Sequence, residues 1–230
     1  MFSNISRQLI RSNHVIRFCY NKNRNFCNVT NEVKNITSEI SYLDIRVGRI
    51  VKISDHPTEE NLYVQQIDVG DHLYEKLEIE TVISNDDIKP KTRSIIAGIK
   101  EFCSVDELLN TDVVVVCNLK PRNIKGVPSN GMVLCCSNLD KTQVKPIRPP
   151  HGSIPGQVIS FEGHNSLAFP PGANKLSFNR INKAYKAVCS DFIVNEDGIA
   201  IWKNQKEVTD IEFKTELGSI KGQYIDGTIS

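Results

Sequence analysis

The chain has 230 residues, of which 40% are hydrophobic and 24% are charged, and its formal net charge at pH 7 is +1. That length can bury one good core, or one core with a small second lobe. The charge excludes a polycation, so any nucleic-acid binding must come from a local concentration of cations. No apolar run approaches the roughly 20 residues of a membrane span, and no membrane partner is expected.

The first 31 residues differ in charge from the rest of the chain. They contain no Asp or Glu, and their cations are Arg7, Arg11, Arg17, Lys22 and Arg24. An acid-free, Arg-bearing segment with spaced apolar residues is typical of a transit peptide, and the missing apolar h-region argues against secretion. We therefore predict an organellar leader over residues 1–35, directed to the mitochondrion or another organelle. The alternative is a disordered basic arm on a cytoplasmic protein.

Seven cysteines and five histidines are scattered along the chain. None has the spacing of zinc ligands, and the cysteines within apolar runs are predicted to be buried free thiols. There is no Gly-rich phosphate loop and no nucleophile–base constellation. We therefore predict no metal, no cofactor and no catalytic residue.

Residues 43–162 show the pattern of short strands separated by turns. The predicted strands are Leu43–Ile53, Leu62–Val69, Ser94–Gly98, Asp112–Cys117, Met132–Ser137 and Gln157–Phe161. Gly48 is expected to mark a bend or bulge in the first of them. Ser104 and Glu107 have the spacing of a capping box and predict a short helix before the fourth strand. This count favours a mainly β domain, a five-stranded barrel of the OB-fold type.

Two segments interrupt or follow this pattern. The charged segment 71–93 is too long for a tight hairpin and is predicted to be an inserted hairpin or helix, or a mobile flap. After a linker at 163–174, a basic helical stretch precedes predicted strands at Phe192–Val194 and Ile199–Trp202. The predicted domains are the leader 1–35, the barrel 40–163 and a small α+β subdomain 164–230.

The stretch that begins at Asn118 and reads NLKPRNIKGVPSNG is basic and contains no acid. Lys120, Arg122 and Lys125 are candidates for phosphate contacts, and the alternative is a solvated loop. Arg46 and Arg49 flank Gly48 and could face either a groove or solvent. Each of three other residues has two possible roles. Tyr63 could be a core aromatic or contact the nucleic acid, and Met132 could pack in the core or make such a contact. Asn118 could be a turn residue or a contact residue.

Six motifs then occur in the order of a known family. They are LDIRVGRIV (43–51), HPTEENLYVQQIDVG (56–70), RSIIAGI (93–99), VVVVCNLKPRNIKGV (113–127), SNGMVLCCS (129–137) and PPHGSIPGQVISFEG (149–163). Residues 42–163 resemble the EMAP II-like tRNA-binding domain, and 164–220 are similar to its eukaryotic C-terminal subdomain. That domain occurs at the C-terminus of some tyrosyl- and methionyl-tRNA synthetases, in p43-type auxiliary proteins and in yeast Arc1p.

The resemblance implies a non-catalytic OB-fold that binds tRNA by shape and charge and serves as a synthetase cofactor. Matched to the family's motifs, the tRNA-binding residues are Asn61, Tyr63, Asn118, Lys120, Arg122, Asn123, Lys125, Ser129, Asn130 and Met132, to which the strand pattern adds Arg46 and Arg49. Lys125 stands where the family has Arg, which keeps the charge but loses the planar fork. The usual LNPKKK is LSFNRI at 176–181, which weakens a basic contribution there.

The implied partners are tRNA and an aminoacyl-tRNA synthetase, tyrosyl or methionyl. A monomer is expected, because the C-terminal subdomain would fill the surface through which bacterial members dimerise. Three alternatives belong to other classes. A synthetase is disfavoured by the absence of HIGH and KMSKS motifs. The other two are a protein-interaction scaffold and a cytokine-like protein, in which the tRNA-binding groove would serve another purpose.

Overall fold

The computed structural model describes residues 37–75, 91–168, 176–206 and 208–230. The predicted leader 1–35, most of the charged segment 71–93 and the end of the predicted linker lie outside the described residues. In the described part, no helix has the length and apolar character needed to cross a membrane. The same part contains no group of His, Cys, Asp and Glu side chains that could hold a metal ion.

The described chain is built mainly of short strands. They are β1 (Ile45–Asp55), β2 (Tyr63–Asp68), β3 (Thr92–Ala97), β4 (Asp112–Val116), β5 (Arg122–Ile124), β6 (Val127–Ser129), β7 (Met132–Val133), β8 (Cys135–Ser137), β9 (Val144–Pro146), β10 (Phe192–Val194), β11 (Ala200–Asn204), β12 (Thr209–Glu212), β13 (Lys214–Thr215), β14 (Gly218–Ser219) and β15 (Thr228–Ile229). The helices are α1 (Asp71–Glu75), α2 (Val105–Leu108) and α3 (Phe178–Val188), with short 3₁₀ helices at Glu39–Tyr42 and Cys189–Asp191.

The first sheet is a nearly closed antiparallel barrel with the order β3-β2-β1-β4-β7. The backbone N–H of Asn130, just before β7, donates to Ser94 O of β3 and brings the two ends together. This confirms the predicted mainly β, OB-type architecture. The bulge in β1 was expected at Gly48, but the register shifts between Ile50 and Lys52. Gly48 instead allows close packing, because a Cβ there would lie 2.7 Å from Ile67 Cγ2.

The second sheet has six strands in the order β12-β11-β10-β15-β8-β9. The predicted single strand Met132–Ser137 is therefore wrong in its continuity, because β7 belongs to the barrel and β8 to this sheet. Leu134 lies between them, donating its N–H to Val114 O and accepting from Ile147 N–H. The predicted strand Gln157–Phe161 forms only isolated bridges, such as Arg46↔Val158.

The core crosses the predicted domain boundary at residue 163. One cluster of buried side chains joins Ile45 and Val47 of β1 to Phe192, Trp202 and others of the C-terminal segment. A second cluster fills the barrel behind α2 and β4. Residues 164–230 and the barrel bury apolar surface against each other, and both belong to one compact unit, Lys34–Ser230. The domain boundary at residue 163 stays a prediction.

The predicted capping box and the predicted basic helix are both present. Glu107 N–H donates to Ser104 Oγ, and Ser104 N–H donates to the Glu107 carboxylate. Helix α3 begins after Ser177, whose hydroxyl accepts from Arg180 N–H. Its apolar stripe, Ile181, Ala184 and Val188, is buried. That stripe holds α3 against the barrel and fixes which side chains of the helix face outward.

Candidate nucleic-acid interface

The basic loop predicted at 118–131 contains a β-hairpin. Strands β5 and β6 pair Arg122 with Ser129 and Ile124 with Val127, which leaves Lys125 and Gly126 as a two-residue turn. Both have positive φ, +49° and +94°, as a type I′ hairpin turn requires. For a lysine this conformation costs about 1–2 kcal/mol. It places the Lys125 ammonium at the tip of the hairpin, with a side chain 67% exposed.

Polar side chains tie the hairpin to its surroundings and close its turn. Ser129 Oγ accepts from Ile96 N–H of β3 at 3.1 Å and donates to Gly131 O at 3.3 Å. His56 Nε2 donates to Ile124 O at 3.0 Å. Asn123 Oδ1 accepts from Gly126 N–H at 2.7 Å and closes the turn. The predicted site residues Ser129 and Asn123 therefore hold the shape of the hairpin.

Two side chains hold the base of the hairpin. Asn118 Nδ2 donates to Tyr42 O at 2.8 Å, and its Oδ1 accepts from Asp44 N–H at 3.0 Å. The Arg93 guanidinium donates to Cys117 O at one end of the segment and to Asn130 O at the other. Arg93, a residue of β3, thus binds both ends of the segment 117–130.

A partly buried ionic network lies beneath this base. Asp71 accepts two hydrogen bonds from Arg93, at 2.6 and 2.7 Å, and one from Arg46 Nη1 at 3.2 Å. Arg46 is fully buried and also pairs with Asp44, with Nε–Oδ1 at 2.7 Å. Burial lowers the pKa of Arg46, but the hydrogen bonds and charge of Asp44 outweigh it and raise the pKa. Arg46 was predicted to face a groove or solvent. It is buried from solvent, and it contributes to the lining of the cleft described below.

Three further predicted residues are not brought to the hairpin. Arg49 is exposed and makes two 2.8 Å hydrogen bonds to Asp112, at the end of β4 that lies about 20 Å along the strand from Asn118. Tyr63 is 5% exposed and belongs to the barrel core. Met132 packs against the shared core, and its sulfur accepts from the Tyr185 hydroxyl at 3.8 Å.

The remaining predicted residues include three exposed cations. Lys120, Arg122 and Lys125 are exposed. Of these, only Lys125 has an ion-pair partner among the described residues, Glu59 at 3.8 Å. Asn61 is exposed in the same turn as Glu59. Burial raises the pKa of the Tyr185 hydroxyl in α3, and the positive charge of Arg122 opposes that rise.

A cleft of about 560 Å³ separates the base of the hairpin from the start of α3. The polar residues of its described lining include Lys91, Thr92, Asn118 and Asn130, and the apolar residues include Leu176 and Phe178. The acids that reach it, Asp44 and Asp71, are those paired with Arg46 and Arg93. Arg93 and Asp71 were not predicted as site residues. The sequence shows each of them only as a charged residue beside a short apolar run.

Asp71 is expected to make the protein less stable in acid. Burial raises its pKa, but hydrogen bonds and charge from Arg93 and Arg46 outweigh that effect and hold the pKa below its usual range. Such a carboxyl contributes stability that is present above its unfolded pKa and is lost as the pH falls through its folded pKa. Asp71→Asn should therefore flatten the fall in unfolding free energy below about pH 4, measured by urea denaturation at several pH values. The exposed Asp140→Asn is the control, and equal acid slopes in the two variants would contradict the assignment.

A nearly closed antiparallel barrel with a basic hairpin on its face defines a class, the nucleic-acid-binding β-barrel proteins. The family model described as "Putative tRNA binding domain" matches residues 74–158. The chain therefore contains a tRNA-binding domain of this family.

Two curated relatives and one solved structure show where such domains occur. The chain is 34% identical over 194 residues to cytoplasmic tyrosine–tRNA ligase of Xenopus laevis, covering 83% of this chain and 31% of that protein. It is 32% identical over 165 residues to aminoacyl tRNA synthase complex-interacting multifunctional protein 1 of Cricetulus griseus, covering 72% and 39%. The crystal structure of the C-terminal domain of Plasmodium vivax p43 is 26% identical, with a TM-score of 0.64, and covers 83% of this chain and 98% of that one. The chain spans about a third of the length of the curated relatives it matches.

Proposed function

We propose that this non-catalytic tRNA-binding module holds the sugar-phosphate backbone of tRNA on the hairpin 122–129 together with Lys120. The observation that carries this proposal is an anchored hairpin that presents the exposed cations Arg122 and Lys125, with the exposed Lys120 just before it. An anchored hairpin loses little conformational entropy when it binds, so its charges are positioned before the RNA arrives. The hydrogen bonds of Ser129 and Arg93 supply that anchoring.

Recognition on this surface would depend on shape more than on sequence. Lys and Arg contacts to phosphates carry no sequence information, whereas contacts to the 2′-hydroxyl distinguish RNA from DNA. Asn130, partly exposed beside the cleft, and the exposed Asn61 are suited to the hydroxyl contacts. We therefore expect similar affinity for many tRNAs and weaker affinity for DNA.

We further propose an aminoacyl-tRNA synthetase as the protein partner. The support is the names of the relatives, which include a tyrosine–tRNA ligase and a protein that interacts with the synthetase complex. A monomer is supported by the second sheet, in which β15 of the C-terminal segment pairs with β8. The organelle stays our proposed compartment, with the acid-free, Arg-bearing N-terminus as its support.

The test is a titration of the full chain against several purified tRNAs and a duplex DNA of similar charge, at low salt. We expect dissociation constants in the micromolar range that differ little between tRNAs, and weaker binding of DNA. Strong preference for one tRNA would contradict shape recognition. Absence of tRNA binding would favour the protein-interaction scaffold.

A further inference from the structure

The cleft beside the hairpin has the size and the two-sided lining of a small-ligand site. Its volume of about 560 Å³ lies within the range of roughly 300–1,000 Å³ typical of such sites. Thr92, Ser94 and Asn130 contribute polar groups on one side, and Leu176 and Phe178 contribute apolar groups from the start of α3. A planar apolar body with polar edges and a charged substituent would match this lining.

Phe178 lines the cleft and contributes to neither the cap nor the buried face of its helix. It is the first residue of α3 and 48% exposed, whereas the buried stripe of that helix is formed by Ile181, Ala184 and Val188. Serving neither as cap nor as core, an aromatic ring at this position keeps an accessible face. Aromatic faces of this kind stack on unpaired bases with little sequence preference.

The charges around the cleft are compatible with a phosphate. Asp44 and Asp71, the acids of its described lining, are paired with Arg46 and Arg93 and so leave no uncompensated negative charge there. Asn118 and Asn130, which delimit the hairpin segment, also line the cleft. A backbone bound on the hairpin therefore passes the mouth of the cleft.

We propose that the cleft takes one unpaired nucleotide of the bound RNA, with its base stacked on Phe178 and its polar edge toward Ser94 and Asn130. This inference rests on the proposed function, because the hairpin must hold the neighbouring backbone. It adds a preference that the hairpin alone does not give. An RNA with an unpaired nucleotide next to a helix should bind more tightly than a fully paired one.

The experiment compares two fluorescent probes, a blunt-ended RNA duplex and the same duplex with unpaired adenosines at one 3′ end. Wild-type full chain should bind the overhang probe about five- to tenfold more tightly, which is the scale of a single base–aromatic stack. Phe178→Ala should lose that advantage and keep the affinity for the blunt duplex. Phe178→Trp, which restores an aromatic face, should keep the advantage.

The outcomes separate this inference from the proposed function. If wild type binds both probes equally, or if Phe178→Ala retains the overhang advantage, the nucleotide site is refuted while the hairpin stands. If neither probe binds the wild type, the proposed function fails, and the nucleotide site with it. Melting temperatures of the Phe178 variants confirm that any loss of binding occurs in folded protein, as expected for a half-exposed ring.

Discussion

The triple variant Lys120→Ala, Arg122→Ala, Lys125→Ala is expected to bind tRNA at least about a hundredfold more weakly than wild type at low salt. Charged hydrogen bonds contribute about 1 kcal/mol or more each, and three of them amount to roughly two factors of ten. Folding should be preserved, since the three side chains are exposed and such substitutions change stability by about 0.5 kcal/mol or less. Fluorescence anisotropy with a labelled tRNA measures the change.

A matched variant controls for the loss of net charge. Lys52→Ala, Lys203→Ala, Lys221→Ala removes the same three charges from exposed positions on β1 and in the C-terminal segment. This control should bind tRNA within about threefold of wild type, because the affinity depends on local charge. Equal weakening in both variants would indicate that only overall charge matters, and an unaffected triple variant would remove the hairpin from the interface.

The second large effect is expected at Arg46. Replacing it by alanine should lower the free energy of unfolding by about 3–5 kcal/mol, because it leaves Asp44, only 4% exposed, without its partner. Arg49→Ala is the matched control on the same strand. Its pair with Asp112 is exposed, with side chains 46% and 20% accessible, and such pairs contribute at most about 1 kcal/mol.

Urea denaturation of the two arginine variants tests this contrast. These two arginines lie only three positions apart but differ in burial and in the number of their carboxylate partners. A stability loss at Arg46 within about 1 kcal/mol of that at Arg49 would mean that the network beneath the hairpin does not support it. If Arg46→Ala is too unstable to purify, Arg46→Met keeps the aliphatic stem and gives a measurable midpoint.

Local patterns were sufficient for much of the fold and of the site. The capping box at Ser104 and the strand at 112–117 depend on neighbours in sequence, and both were predicted. Arg122 and Lys125 lie on one hairpin because a two-residue turn joins its strands, and Lys120 precedes that hairpin by two residues. Their proximity in space follows from their proximity in sequence.

Contacts between residues far apart in the sequence determine the features that were not predicted. Arg46 is buried because carboxylates of Asp44 and Asp71 converge on it, and Asp71 lies 25 residues away along the chain. The apolar run 132–137 indicated burial but not a change of sheet at Leu134, which depends on pairing with the C-terminal β15. The cleft is lined by side chains of both β3 and α3, an arrangement of elements far apart in sequence that no local pattern predicts.

The most direct test of the hairpin as the tRNA interface is the slope of log affinity against log salt concentration, for wild type and for the triple variant of Lys120, Arg122 and Lys125. Each phosphate contact adds about 0.7–0.9 to the magnitude of that slope. If the three side chains contact phosphates, the slope of the variant should be smaller in magnitude by about 2–3. An unchanged slope would show that the phosphates are bound elsewhere on the chain and would contradict the account.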